Sequence, residues 1–194
     1  RRLKGQYDLV HTHQGLWEAI ATGVAQSVID VPTLVQPASS GYYGEAEELA
    51  RTRGALVLKR LILRNSAFAA ISADIERQWR ELGVPTEQMY RMASGVDLAR
   101  FHPGPSEVES QLPARPRVLF TGRLHPQKNL DLLLKAWEEL YRQRPDAQLI
   151  LLGGGPDRDR LAAQTEAMGL ADCIHFPGPV DDPAPYLRAA DIFV

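Results

Sequence analysis

Short apolar runs alternate with amphipathic stretches along the first half of the chain. The apolar runs have strand lengths and turn residues at their ends, whereas the stretches between them show helical spacing. The predicted strands are YDLVHTH (7–13), PTLVQPA (32–38) and AFAAIS (67–72). The predicted helices cover 15–28, 45–65 and 73–83. Strands that alternate with helices predict an α/β fold with a parallel sheet covered on both faces.

A segment rich in Pro, Gly and Ser interrupts this alternation. It reads FHPGPSEVESQLPARP (101–116) and supports neither helix nor strand. We therefore predict an interdomain linker at 105–116, with one α/β domain before it (1–104) and a second after it (117–194). The predicted strands of the second domain are RVLFTG (117–122), AQLILLG (147–153), CIHFPG (173–178) and DIFV (191–194), with helices between them.

The helix after Asn129 has the clearest pattern in the chain. Its apolar residues fall on one stripe, made of Leu130, Leu133, Trp137 and Leu140. Asn129, directly before the stripe, has a side chain suited to an N-cap. The pattern predicts an amphipathic helix that begins at Asn129.

Composition is typical of a soluble globular protein and excludes several function classes. The chain has 194 residues, 44% of them hydrophobic, and a net charge of -2, so no overall basic field attracts a nucleic acid. The apolar stretch GALVLKRLILR (54–64) contains cations and is shorter than the roughly 20 residues that span a bilayer. The single cysteine, Cys173, cannot form an internal disulfide, which favours a cytoplasmic location.

The loop GRLHPQKN (122–129) is the strongest candidate for chemistry, because ligands of open parallel sheets bind beyond the carboxyl ends of the strands. Gly122 allows a tight exit from the strand, and the loop then supplies two cations, Arg123 and Lys128. The N–H groups at the start of the next helix favour an anion. This combination suits a diphosphate, and two solvated surface cations are the alternative.

A second glycine-rich loop, GGGPDR (153–158), follows the next predicted strand. Gly153 and Gly155 would allow a ligand or another backbone segment to approach closely. The loop lacks the GK[ST] ending of a P-loop and does not match GxGxxG. A flexible turn with Pro156 at the first helical position is the alternative.

Two other groups of residues carry weaker signals. His11 and His13 lie two apart on a strand and face the same side, and without an assignable third ligand a hydrogen-bonding or packing role is favoured over metal binding. Arg53, Arg60 and Arg64 share one face of the predicted helix 45–65. That face either lies in solvent or meets anionic lipid head groups or a phosphorylated acceptor.

Six motifs in order resemble the retaining, nucleotide-sugar-dependent glycosyltransferases of family 4. They are YDLVHTH, AFAAISADIERQWRELGVP, SGVDLARFHP, VLFTGRLHPQKNLDLLLKAW, LILLGGGPDRDRL and IHFPGPVDDPAPYLRAADIFV. The resemblance covers nearly the whole chain and implies two Rossmann-like, doubly wound domains of the GT-B type. It corresponds to the second half of the acceptor domain and the first half of the donor domain, so we expect both domains to be incomplete.

The resemblance implies transfer of a sugar from a nucleoside diphosphate sugar, with retention of configuration at the anomeric carbon, in carbohydrate biosynthesis. It implies no metal and no other cofactor. It assigns the donor diphosphate to Arg123 and Lys128, in agreement with the physical analysis of their loop, and these are the expected catalytic residues. The expected donor site also includes Gly122, the glycines Gly153 and Gly155, and the backbone around Val180.

The acceptor side of the resemblance is less complete. His13, Ser39, Ser40 and Gly41 are the expected acceptor-side residues. The family's frequent histidine after the third acceptor-domain strand is Ala38 here, so Ser39, Ser40 and Gly41 in the same loop are expected to serve a different acceptor. The frequent Asn of the NGVD turn is Ser94. The family's paired glutamates would follow Val194, so we expect the 194-residue chain alone to be inactive.

Two alternatives stay open at this point. Another GT-B enzyme, such as a nucleotide-sugar epimerase or a sugar-phosphate synthase, would share the fold. A non-catalytic nucleotide-sugar-binding module would keep the donor site without the reaction. The expected partners are a nucleoside diphosphate sugar and an acceptor that is a saccharide, a lipid-linked molecule or a small molecule. We expect a cytoplasmic protein, with peripheral contact at the inner membrane face left open.

Overall fold

Each half of the chain builds one four-stranded parallel sheet. The structure, a computed structural model, describes residues 5–194. The chain divides between Gly95 and Val96 into unit 1 (5–95) and unit 2 (96–194). The predicted alternation of strands and helices around a parallel sheet is confirmed in both units.

The sheet of unit 1 is assembled in chain order, and each strand runs parallel to its neighbours. The strands are β1 (Val10–His13), β2 (Thr33–Gln36), β3 (Ala67–Ala70) and β4 (Met89–Arg91). The helices are α1 (Trp17–Ala25), α2 (Glu45–Arg51), α3 (Ala55–Ile62) and α4 (Ala73–Glu81). The sequence pattern missed β4, because only Met89 of its three residues is buried and the strand contains no apolar run.

Helix α4 shows how the sequence fixes an element of unit 1. The Ser72 hydroxyl caps its first turn by accepting from the Ile75 N–H (3.2 Å). Its buried residues are Ile75 and Trp79, and the Trp79 ring lies 5.6 Å from the Phe68 ring of β3, centroid to centroid. The helix therefore packs its apolar side onto the sheet, as its periodicity predicts.

The single helix predicted over 45–65 is wrong, because the chain forms two helices there. Gly54 adopts the left-handed conformation (φ 80°) directly before α3, and Thr52 is extended after α2. A left-handed residue cannot continue a right-handed helix. Arg53 consequently lies between the two helices rather than on one continuous face.

Unit 2 contains a parallel sheet in the order β7-β6-β5-β8. Its strands are β5 (Arg117–Thr121), β6 (Gln148–Leu152), β7 (Ile174–Gly178) and β8 (Ile192–Phe193), and its helices are α5 (Leu130–Gln143), α6 (Arg158–Ala167) and α7 (Ala184–Ala189). Successive residues of β5 enter different cores: Val118 and Phe120 pack with α5 and α6, and Leu119 packs on the other side with α7. Both faces of the sheet are therefore covered, which explains the uninterrupted buried runs in β5 and β6.

Helix α5 departs from its prediction at two points. Leu134 is fully buried together with Leu130 and Trp137, whereas Leu140 is 39% exposed, so the buried stripe is rotated from the predicted one. Asn129 forms no side-chain cap. It is left-handed (φ 51°), because it ends the 3-10 turn Pro126–Lys128 directly before the helix.

The predicted linker at 105–116 packs on unit 2, and the division between the units lies before it. Ser106 donates through Oγ to the Pro185 carbonyl (2.7 Å). Glu109 accepts from the buried Arg117 side chain (2.6 Å), and Arg115 bridges Glu109 and Asp191. Apart from the 3-10 turn Glu109–Gln111, the segment forms no helix or strand, and it still makes tertiary contacts.

Arg117 joins the 105–116 segment to the edge of the sheet, and its removal should destabilise the chain. Its guanidinium also donates to the carbonyls of Pro113 and Ala189. Arg117→Met leaves these carbonyls without a donor, so we expect a loss of about 2–4 kcal/mol in the free energy of unfolding by urea. Arg142→Met, which removes exposed ion pairs on α5, is the control and should cost at most about 0.5 kcal/mol. Equal losses in both variants would contradict this role for Arg117.

The ion pairs that link Glu109 and Asp191 to Arg115 and Arg117 should make the free energy of unfolding depend on pH in acid. Hydrogen bonds from Arg115 and Arg117 lower the pKa of Glu109, and the backbone N–H of Arg117 and the Arg115 side chain lower the pKa of Asp191. The contribution of these two carboxylates to the free energy of unfolding is complete above their unfolded pKa of roughly 4. It is lost as pH falls through their lower pKa values in the folded chain. Urea midpoints measured against pH should fall less steeply below about pH 4 in Glu109→Gln than in the wild type. Parallel curves would contradict the assignment.

Candidate functional site

The loops at the carboxyl ends of β5, β6 and β7 enclose a pocket of about 230 Å³. Four of the residues predicted for the donor site line it, namely Gly122, Arg123, Gly153 and Val180. Thr121, Leu152, Gly154, Pro179 and Pro183 also line it and were not predicted. The sequence could have indicated these residues only through their positions beside the predicted ones in the same loops.

Backbone hydrogen bonds hold the three loops together. The Gly122 N–H donates to the Leu152 carbonyl (3.0 Å), and the Gly153 N–H donates to the Gly178 carbonyl (2.9 Å). One residue further out, the Leu124 N–H donates to the Gly154 carbonyl (2.9 Å). The ladder of the sheet thus continues into the loops, and the pocket wall is fixed by main-chain contacts.

The glycines of GGGPDR are required by this contact between backbones. A Cβ at Gly153 would lie 2.0 Å from the Gly122 carbonyl oxygen, and a Cβ at Gly155 would lie 2.2 Å from the Leu124 carbonyl oxygen. The sequence left open whether these glycines allow the approach of a ligand or of another backbone segment. The structure shows that another backbone segment approaches them. Gly155 is not among the residues that line the pocket.

Arg123 is the cation of the pocket. Its side chain is exposed and, among residues 5–194, it is the only arginine of unit 2 without a hydrogen bond or ion pair. The other arginines of the unit are bound to carboxylates or carbonyls. The positive charge of Arg123 is therefore available to a ligand without breaking a contact.

Lys128 lies at the end of the 3-10 turn that connects the loop to α5. The turn begins at His125, whose Nδ1 accepts from the Gln127 N–H (3.2 Å). The Lys128 ammonium is exposed and has no side-chain partner within the described residues, but Lys128 does not line the pocket. The structure therefore brings Arg123 to the pocket and leaves Lys128 beside it, on the connection to the helix.

Val180 supplies an apolar wall to the pocket. It is half-buried and packs against the cluster of Leu119, Ile150 and Leu152 beneath the sheet edge. Pro179 and Pro183 flank it in the pocket lining. The pocket thus has a cationic side and an apolar side.

In unit 1 a buried carboxylate, which sequence reasoning missed, organises the acceptor-side loop. Glu45, 7% exposed, accepts from the backbone N–H groups of Ala38 (2.8 Å) and Ser39 (3.0 Å) and from the Ser39 hydroxyl (3.0 Å). It also accepts a longer bond from the Gly15 N–H (3.4 Å) after β1. Its place in the first turn of α2, directly after Gly44, was the only sequence signal.

The other acceptor-side residues lie around this carboxylate. The 3-10 turn Gly41–Tyr43 follows Ser40, and Gly41 is exposed with φ 69°. His13 ends β1 and is exposed, and its ring lies 4.3 Å from that of His11, centroid to centroid, as strand alternation predicts. Within the described residues, no group of three or more His, Cys, Asp and Glu side chains could hold a metal ion.

None of the helices within residues 5–194 combines the length and the apolar character needed to cross a bilayer.

Comparison with known proteins gives a family match in unit 2 and relatives that span both units. Residues 115–194 match the family Glycosyl transferases group 1. The match thus includes β5 to β8 and all the loops of the pocket. D-inositol 3-phosphate glycosyltransferase of Nocardia farcinica is 29% identical over 217 residues, which cover 99% of this chain and 47% of that protein.

Solved structures show the same fold. The Anabaena protein Alr3699/HepE, crystallised in complex with UDP and glucose, superposes with a TM-score of 0.80 at 21% identity, over 97% of this chain and 52% of that one. Sucrose-phosphate synthase of Thermosynechococcus elongatus superposes with a TM-score of 0.80 at 24% identity, over 99% of this chain and 51% of that one. The predicted fold, two Rossmann-like parallel-sheet domains as in GT-B glycosyltransferases, is confirmed. The chain spans about half the length of the curated relatives it matches.

The contact between the loops predicts that two neighbouring glycines differ in how well they tolerate substitution by alanine. Gly153→Ala forces its Cβ against the Gly122 carbonyl, so we expect a loss of about 2–4 kcal/mol in the free energy of unfolding by urea. Gly154→Ala is the matched control, because a Cβ there would meet Pro179 at an ordinary 3.6 Å. It should cost at most about 1 kcal/mol. Similar losses in the two variants would contradict the steric argument.

Proposed function

We propose that unit 2 binds the nucleoside diphosphate portion of a nucleotide sugar. The observation that carries the proposal is the unpaired guanidinium of Arg123 in a pocket at the carboxyl edge of a parallel sheet. An exposed cation with no internal partner offers its charge to a diphosphate at no cost in lost contacts. The apolar wall around Val180 suits the base of the nucleotide, and the match to group 1 glycosyl transferases supports the same ligand class.

The proposed reaction is transfer of the sugar to an acceptor with retention of configuration. As the bond between the sugar and the diphosphate breaks, negative charge accumulates on the leaving phosphate oxygens. Arg123 and Lys128 would stabilise that charge, which is the larger part of catalysis in a reaction of this kind. The proposal includes no metal and no other cofactor.

The proposed acceptor side is the loop cluster held by Glu45 in unit 1. The Ser39 hydroxyl is already used, because it bonds to Glu45 and lies 3.1 Å from the Tyr43 carbonyl oxygen. Ser40, Gly41 and His13 remain exposed or half-buried around it and are the proposed contacts. The name of the Nocardia relative supports a small phosphorylated polyol among the possible acceptors.

Two other functions would use the same donor pocket. A sugar-phosphate synthase is favoured by the superposition on sucrose-phosphate synthase, and a non-catalytic nucleotide-sugar-binding module by Ala38 and Ser94. They differ from the leading proposal in the acceptor or in turnover and agree with it in the diphosphate site. The first experiment therefore tests that site.

The diphosphate site predicts a ligand-dependent rise in melting temperature. At about 100 times its Kd, UDP, GDP or ADP should raise the Tm of the chain by about 5 °C, whereas the matching nucleoside should have little effect. Arg123→Ala should abolish most of the shift and Lys128→Ala should reduce it, because each removes a charge that faces the diphosphate.

Lys135→Ala is the matched control for this experiment. Lys135 is an exposed lysine on α5 that forms no side-chain hydrogen bond or ion pair among residues 5–194, and it lies outside the pocket lining. Its variant should respond to the nucleotide as the wild type does. A shift that survives both Arg123→Ala and Lys128→Ala would overturn the assignment of the diphosphate to these residues.

A further inference from the structure

Helix α3 carries an outward face on which apolar and cationic side chains are mixed. Leu56 is 75% exposed and Val57 is 59% exposed, although both belong to a helix that packs on the core of unit 1. Arg60 and Arg64 are exposed beside them, and Arg53 is exposed directly before the helix. These five residues are called the α3 surface.

Helix geometry places three of these residues on one side. At 100° per residue, positions 56, 57 and 60 of α3 fall within an arc of about 100°. Ala55, Leu58 and Ile62 occupy the opposite side and pack in the core of unit 1. Arg64 follows the helix in a turn, in which its N–H donates to the Leu61 carbonyl (3.2 Å).

The charges of this surface are free and of one sign. The side chains of Arg53, Arg60 and Arg64 form no hydrogen bond or ion pair with the described residues. No Asp or Glu occurs in the sequence from Leu49 to Ala73, in a chain whose net charge is -2. Arg51, at the end of α2, is by contrast engaged, because its guanidinium lies over the Tyr42 ring and donates to the Tyr42 carbonyl.

We propose that the α3 surface docks on an anionic lipid bilayer, with the helix lying in the plane of the interface. The arginines would meet lipid phosphates, and Leu56 and Val57 would enter the boundary between head groups and acyl chains. A phosphate contact alone would make no use of the two exposed apolar side chains. A bilayer interface matches both parts of the surface, since it offers negative charge above an apolar layer.

Vesicle binding of the purified chain tests this proposal without any glycosyl transfer, so its outcome is independent of the proposed function. The chain should sediment with vesicles of phosphatidylcholine and phosphatidylglycerol at low ionic strength and much less with phosphatidylcholine alone. Arg60→Glu combined with Arg64→Glu should lower the partition coefficient at least about 25-fold, at about fivefold for each arginine removed. Leu56→Gln combined with Val57→Gln should lower it as well, because less apolar area is buried.

Helix α5 of unit 2 offers matched controls. Lys135→Glu combined with Arg142→Glu makes the same change in net charge. Leu132→Gln replaces a leucine that is 60% exposed, close to the 59% of Val57. Both control variants should bind vesicles as the wild type does. Absence of binding to anionic vesicles, or equal losses in the α3 and α5 variants, would overturn the proposal. Unchanged binding of the Leu56 and Val57 variant would also overturn it, because charge alone would then account for the attraction.

A label on the helix gives a second readout that does not depend on charge reversal. Leu56→Cys can carry an environment-sensitive fluorophore, because the native Cys173 is buried. The emission should shift to shorter wavelength with anionic vesicles, whereas a label at Leu132→Cys should not respond. An unshifted emission from position 56 in vesicle-bound protein would show that another surface makes the contact.

Discussion

The candidate site of unit 2 depends on the close approach of two backbone segments. The loop after β6 passes so near the loop after β5 that Gly153 and Gly155 have no room for a Cβ beside the carbonyls of Gly122 and Leu124. This approach lets the hydrogen-bond pattern of the sheet continue past the strand ends. Main-chain hydrogen bonds therefore hold the pocket wall, and the side chain of Arg123 is free to bind a ligand.

Unit 1 fixes its loops by a different interaction at the corresponding edge of its sheet. The buried Glu45 carboxylate gathers N–H groups from the loops after β1 and β2, so that a side chain replaces the contact between backbones. In both units the polar groups that order the loops are hydrogen-bonded to each other. The exposed groups around them, Arg123 in one unit and Ser40 and Gly41 in the other, are the ones free to recognise a ligand.

The sequence predicted the architecture well, because seven of the eight strands contain short apolar runs that local pattern detects. The exception is β4, which has one buried residue. The sequence also placed Gly122, Arg123 and Gly153 in loops at carboxyl strand ends, which can be located once the strands are known. The resemblance added Val180, and all four residues line the pocket. Prediction from the sequence failed where the conformation of a single residue, or a contact between residues far apart in the chain, determines the structure. Gly54 broke a helix that periodicity joined, the turn before α5 removed Asn129 from its capping role, and the contacts of Glu45 and Arg117 join residues far apart in the sequence.

Binding of a nucleoside diphosphate at the edge between β5, β6 and β7 is the central claim. Amide chemical shifts of the labelled chain, measured by NMR during titration with a nucleoside diphosphate, test it most directly. The account predicts that the largest changes occur at Gly122, Arg123, Gly153, Gly154 and Val180, with saturation at a common Kd. Changes centred on the loops of unit 1, or scattered over the surface without saturation, would contradict it.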